Sequence, residues 1–169
     1  ISLFTCSLTI AAGRLFGLSD PWNLIAALLM AFNPLFLSYA LIPMSDVPAA
    51  GWCLASVILA WLSERRTRLA ILCGTACSIA VLVRPTNILI LLPVALLLGN
   101  DLRRWSYLVL GGLPGAAFLC FYQWVAYGSP FSSGYQGFWR LFSWSYFLPG
   151  VSHFAHWVSV CLTPFIPIL

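Results

Sequence analysis

The sequence predicts an all-α protein, a polytopic bundle of transmembrane helices forming a single domain over residues 1–169. Three observations predict it. First, hydrophobic residues make up 62% of the chain and charged residues 7%, with a mean hydropathy of +0.96; soluble domains run at about half apolar and a quarter charged. A soluble fold of this length cannot cover so much apolar surface, so its solvent is lipid. Second, the apolar runs are continuous, too continuous for barrel strands, which leaves helices to satisfy the backbone in lipid. Third, arginine clusters and Pro/Gly punctuation cut the chain into segments of helical length.

The segments follow in order. Residues 1–17 are apolar and broken only by Arg14 near the end. The polar turn LSDPWN offers Ser19 or Asp20 as a helix cap, with Pro21 at the first helical position. Spans are expected at about 23–39 and 47–62, followed by SERRTR at 63–68, the densest charge cluster. The fourth and fifth, 69–83 and 86–98, are short against the roughly 20 residues of a spanning helix. Pro85 separates them and disfavours helix at Arg84. They form either two short tilted helices meeting at an external turn or one broken re-entrant pair; the arginine cluster at each far end favours the first. Residues 105–127 form a long sixth span, 128–149 an outer loop rich in glycine, serine and aromatics, and 151–169 a last apolar run. The chain opens at Ile1 and stops at Leu169 inside apolar runs, and so reads as a fragment of a longer polytopic protein. The first run carries neither the basic leader nor the cleavage site of a signal peptide.

Alternating spans put Arg14, the cluster Arg65/Arg66/Arg68 and the pair Arg103/Arg104 on one side, which the positive-inside rule makes cytoplasmic. The opposite face then holds MSDVP, RPTN and the loop 128–149. Trp22, Trp61 and Trp105 fall near the cytoplasmic ends and Trp124, Trp139 and Trp144 near the outer ones, as interfacial aromatics do. The net charge of +4 comes from arginine alone. It carries no aromatic-interleaved basic patch, so nucleic acid is not an expected partner. No P-loop, dinucleotide fingerprint, Ser-His-Asp constellation or sequon is found.

Three places on the outer face carry chemistry. Asp46 stands alone among apolar residues in LIPMSDVPAAGW. With Ser45 it is expected to cap the third span, with Val47 and Pro48 in the first turn; a carboxylate there also meets a substrate or a metal at the interface. Arg84 is the only outer arginine before Arg140. It either snorkels to lipid headgroups or offers its fork to a lipid-linked phosphate, and Asn87 shares either task through its amide. YGSPFSSGYQGFW, residues 127–139, suits a loop folding over a polar ring-shaped ligand, and equally an ordered interfacial loop. His153 and His156 are spaced for a metal but lack a matched carboxylate or thiol nearby, so an interfacial pair is the plainer reading. Cys73 and Cys77 read as small buried hydrophobes, and Gly111 with Gly115 as a small-xxx-small packing face.

NPLFLSYALIPMSDVPAAGW, GTACSIAVLVRPTNILILLPVALL and YGSPFSSGYQG, in that order, resemble the outer-face motifs of polytopic glycosyltransferases with the GT-C fold. The nearest are the dolichyl-phosphate-mannose protein mannosyltransferase-like and aminoarabinose transferase-like enzymes. The resemblance covers about residues 1–140. It implies transfer of a sugar from a polyprenyl-phosphate donor to a lipid, glycan or protein acceptor, at the extracytoplasmic face of a bacterial inner membrane or in the lumen of the endoplasmic reticulum. It implies inversion at the anomeric carbon, a carboxylate as general base and cationic groups on the leaving phosphate. The family's usual base lies in a first outer loop that precedes this chain. Asp46 matches a second acidic position, with an assisting role: positioning the acceptor, or ligating a divalent ion where members use one. Arg84 matches the Arg-Pro position facing the donor phosphate. Tyr135 and Arg140 lie in the loop that covers the site. The soluble C-terminal domain of some members is not visible, and the fragment alone is expected to be inactive. The alternative is a transporter or flippase for lipid-linked glycans, which would place charge at helix midpoints; here Asp46, Arg84 and Arg140 gather at one face. A non-catalytic scaffold is the third class, in which Asp46→Asn leaves function intact.

Overall fold

A computed structural model describes residues 2–42, 44–130, 145 and 147–162. Among these residues the protein is all-helical. Two compact units divide the chain, residues 1–121 and 122–169.

Helix α1 (Ser2–Leu15) ends at Gly17, whose φ of +78° is the left-handed conformation that closes a helix most cheaply with glycine. The Leu18 N–H then donates back to the Gly13 carbonyl at 3.0 Å. The second segment is not one helix. It consists of α2 (Asp20–Ala31) and α3 (Pro34–Leu41), bent by 57° at Phe32–Asn33. The Asn33 side chain accepts from the Leu35 and Phe36 amides at 3.0 and 3.2 Å, and Pro34 takes the first helical position. An Asn-Pro pair of this kind starts a new helix rather than continuing an old one.

Helix α4 (Asp46–Leu62) and helix α5 (Leu69–Val83) match their predicted segments to within a residue. They run antiparallel, with the Cys73 thiol donating to the Ser56 carbonyl at 3.2 Å. Most of the residues buried on these two helices are small: Ala49, Gly51, Ala55, Ser56 and Ala60 on α4, Ala70, Cys73, Gly74, Ala76, Cys77 and Ala80 on α5. Small side chains let helix backbones approach closely. Helix α1 runs parallel to α4: Phe4 meets Trp52 with ring centroids 5.4 Å apart, and Phe16 meets Trp61 at 5.6 Å. The Arg14 end of α1 therefore lies at the same end as the SERRTR turn.

The fifth segment starts as a 3-10 turn, Pro85–Ile90, before helix α6 (Leu91–Leu98). Helix α7 (Leu102–Tyr127) begins a turn earlier than expected because the Asp101 carboxylate accepts from the Arg103 and Arg104 amides at 2.9 and 3.4 Å. Helix α8 (Phe147–Leu162) begins inside the stretch read as loop. By length and composition α7 can cross a membrane, as can the bent pair α2–α3 if it counts as one span; α1, α4, α5 and Pro85–Leu98 are shorter apolar helices.

Two contacts set the packing. The first is Arg104, buried at the start of α7. Its guanidinium donates to the Ser63 hydroxyl at 3.0 and 2.8 Å and to the carbonyls of Ala60 (2.9 Å), Leu97 (3.0 Å) and Leu98 (3.1 Å). Those carbonyls close the ends of α4 and α6, where helices leave acceptors unfilled and favour a cation. The buried core cluster consists of Ala60, Cys73, Cys77, Val94, Leu98 and Leu108, of which Ala60 and Leu98 bond Arg104 through their carbonyls. The second is the parallel approach of α5 and α7. A Cβ on Gly74 would strike the Leu108 carbonyl, and one on Gly111 the Ile71 carbonyl. Gly115 faces Ser78, so the small-xxx-small spacing read from the sequence is occupied by α5.

Arg104→Met will lower stability by about 3 kcal/mol, since it strands the Leu97 and Leu98 carbonyls and leaves Ala60 and Ser63 only their bond to each other; a thermal melt of the purified protein measures it. Gly111→Ala will cost about 1–3 kcal/mol by overpacking. Gly112→Ala, where the new Cβ would stand 3.7 Å from the Gly74 carbonyl, will leave the melting temperature unchanged or slightly raised.

Candidate functional site

The antiparallel pairing of α4 and α5 brings the first residue of α4 beside the residue that closes α5. These are Asp46 and Arg84, and their side chains form an ion pair from Arg84 Nη1 to Asp46 Oδ1. Each charge sits at the helix end that favours it: the carboxylate at the positive N-terminus of α4, the guanidinium at the negative C-terminus of α5. Both are open to water, with 33% of the Asp46 side chain and 45% of the Arg84 side chain exposed.

This corrects the expected capping role. Ser45 occupies the N-cap of α4 but makes no side-chain capping bond, and Asp46 is the first helical residue. The Asp46 carboxylate turns across to Arg84 instead. The guanidinium is favoured over the local amides because it brings a full positive charge to the carboxylate.

Asn87 has a backbone-holding role that the sequence did not show. Its amide nitrogen donates to the Ala80 carbonyl at 2.9 Å, the acceptor also used by the Arg84 amide at 3.0 Å. It thus closes the last turn of α5 and fixes the backbone that carries Arg84. Arg84 itself is extended, at φ −147° and ψ +117°, as the residue before proline tends to be. Pro85 thereby turns Arg84 out of the helix. Tyr135 and Arg140 lie outside the described residues.

The chain has four acidic residues. Asp20 is paired with Arg14 at 3.1 Å, Asp101 caps α7, and Glu64 belongs to the basic turn. Asp46 is the single carboxylate at its end of α4 and α5, and it is already held by a cation. A divalent ion wants several oxygen ligands of its own, and this donor set does not fit one. No group of three or more His, Cys, Asp or Glu gathers among the described residues. The His153 ring instead packs edge-on to Phe154 and Trp157, with centroids 6.0 and 6.2 Å apart.

An anion reaching this end meets a guanidinium whose fork is only partly used by Asp46. A neutral hydroxyl meets the free edge of the carboxylate. Sequence reasoning found both residues; it missed their direct contact, for which the only signal was the equal distance of each from the SERRTR turn.

In a double-mutant cycle with Asp46→Asn and Arg84→Gln, the coupling energy will be about 0.2–1 kcal/mol, as for other solvent-screened pairs, and melts of the four proteins give it. Comparison with known proteins yields no matching family model, no matching curated protein and no matching solved structure.

Proposed function

We propose that this chain is part of a membrane glycosyltransferase that moves a sugar from a polyprenyl-phosphate donor to an acceptor hydroxyl at the Asp46–Arg84 end of its helices. The observation that carries the reading is that ion pair, a solvent-open carboxylate and guanidinium at the tip of otherwise uncharged apolar helices.

The membrane setting is supported by where the apolar surface lies. The spanning window of α7 is only 11% buried, whereas the core helix of a soluble protein would be mostly buried. Phe118, Phe121, Trp124 and Val125 are each at least 60% exposed on it. Exposed apolar surface of this extent calls for lipid or a protein partner. We read α1 to α8 as a polytopic bundle, its shorter helices tilted or partly inserted, with the arginine-rich turns on the cytoplasmic side and the site on the outer, periplasmic side.

In the reaction the acceptor oxygen attacks the anomeric carbon as the bond to the phosphate oxygen breaks. The acceptor proton passes to a carboxylate base, and polyprenyl phosphate leaves with one more negative charge. Arg84 holds the phosphate and gains most as that charge develops, so its attraction is stronger in the transition state than in the bound donor. Asp46 aims the guanidinium and orients the acceptor hydroxyl. Asn87 keeps the Arg84 backbone in place. The donor's lipid tail stays in the bilayer, which is why such a site stands at the interface and needs no nucleotide motif.

The full-length gene product, assayed with a panel of polyprenyl-phosphate sugars, will transfer sugar. Arg84→Ala will lower turnover about 100-fold or more, and Asp46→Asn will cause a comparable loss without loss of folded protein. The charge swap Asp46→Arg with Arg84→Asp restores an ion pair but not the chemistry, and it will stay inactive. Recovery in the swap would make the pair a structural latch; movement of labelled lipid without sugar transfer would make the protein a flippase.

A further inference from the structure

The opposite end of the same helices carries a second charged feature that glycosyl transfer does not use. An open groove of about 600 Å³ is lined by Arg66, Thr67, Arg68, Leu69, Arg103 and Tyr107. The arginines come from two places far apart in sequence, the turn before α5 and the first turn of α7. They meet because α5 and α7 are parallel and locked together at Gly74 and Gly111.

Among the described residues no ion pair neutralises the charge in this groove, and Glu64 of the same turn is not among the residues that line it. Arg66, Arg68 and Arg103 are exposed and have no ion-pair partner among the described residues. The carboxylate nearest in sequence to Arg103, that of Asp101, is spent on the α7 amides. Arg104 is committed to carbonyls and turned inward, so the groove keeps only its own three guanidinium groups. Two parallel helices also start here, and their positive ends add to the field. Their backbone donors are already used: the Leu69, Ala70 and Ile71 amides bond to the Arg66, Thr67 and Arg68 carbonyls at 2.8–3.1 Å. Recognition therefore falls to the guanidinium forks, which match the geometry of a phosphate group.

The surroundings select the source of that phosphate. One turn further along each helix, Leu72 is 52% exposed and Leu110 is 56% exposed. They stand at i+3 from Leu69 and Tyr107, on the faces that line the groove. A phosphate on the arginines would have apolar surface directly beneath it, where acyl chains run. Tyr107 adds the half-polar ring usual at headgroup depth.

We propose that this groove binds the phosphate headgroup of an anionic phospholipid from the leaflet on the arginine-rich side. The proposal rests on the membrane setting and not on sugar transfer, so it stands if the enzyme reading fails. Basic pockets between helices at this side of a membrane bind acidic headgroups through the same chemistry.

The test uses the purified full chain in detergent, titrated with dioleoyl phosphatidylglycerol and dioleoyl phosphatidylcholine and read by native mass spectrometry. Phosphatidylglycerol will bind about ten-fold more tightly than phosphatidylcholine. The triple change Arg66→Lys, Arg68→Lys, Arg103→Lys keeps the charge that orients the chain but removes the forks, and it will reduce that preference several-fold. Arg66→Gln alone, at an exposed side chain without a partner in the fold, will move it in the same direction. Arg65→Gln, outside the groove, will leave it unchanged. Equal binding of the two lipids, or a preference untouched by the groove variants, overturns the proposal. Displacement of phosphatidylglycerol by millimolar inorganic phosphate would assign the groove to a free phosphate and overturn the lipid assignment.

Discussion

The arrangement of this protein depends on how a single buried guanidinium is satisfied. Arg104 has no carboxylate partner; it is held by three backbone carbonyls and a serine hydroxyl from the ends of α4 and α6. A bare cation away from water is costly, and a helix C-terminus is costly for the opposite reason, with acceptors that nothing fills. Each cost is met by the other. The result ties three helices together at one end, and the helices' far ends inherit their positions from that anchor.

The Asp46–Arg84 end follows from this. With α4 and α5 packed antiparallel through small residues such as Ser56 and Cys73, their lengths decide what meets at the tip. Asp46 and Arg84 meet there because α4 starts and α5 stops at the same height. The pair contributes little to stability, being half in water. Its value is orientation: a cation and a carboxylate fixed side by side where the apolar surface ends. The two ends thus use arginine in opposite ways. One is buried and fully bonded; the other is exposed and only partly engaged.

Much of this could be read from residue order. Continuous apolar runs and Arg-Pro punctuation located α4 and α5 to within a residue, and the alternation of arginines put Asp46 and Arg84 at one end. The break between α2 and α3 was legible too, in the Asn33-Pro34 pair, but the apolar run on either side hid it. Other features were beyond one-dimensional reading. Nothing in Arg103-Arg104 says which arginine is buried, because that depends on where the carbonyls of residues 60, 97 and 98 lie in space. The Gly111/Gly115 spacing announced a close helix contact but not its partner, since Gly74 is one of several small residues on α5. The capping role expected for Asp46 gave way to a tertiary partner 38 residues away, which outweighs a local amide because it carries a full charge.

The Arg104 anchor also imposes an order of assembly. The chain is made from its N-terminus, so α4 emerges about 40 residues before the residue that closes it, and α6 shortly before. Until Arg104 arrives, the Ala60 carbonyl has only the Ser63 hydroxyl, and the carbonyls of Leu97 and Leu98 lack the guanidinium that later fills them. The α4–α5 hairpin can form early from its small-residue seam, but its arginine-rich end stays unlatched. The first turn of α7 then works as a clasp, and the moment of its synthesis sets when the whole basic end becomes fixed.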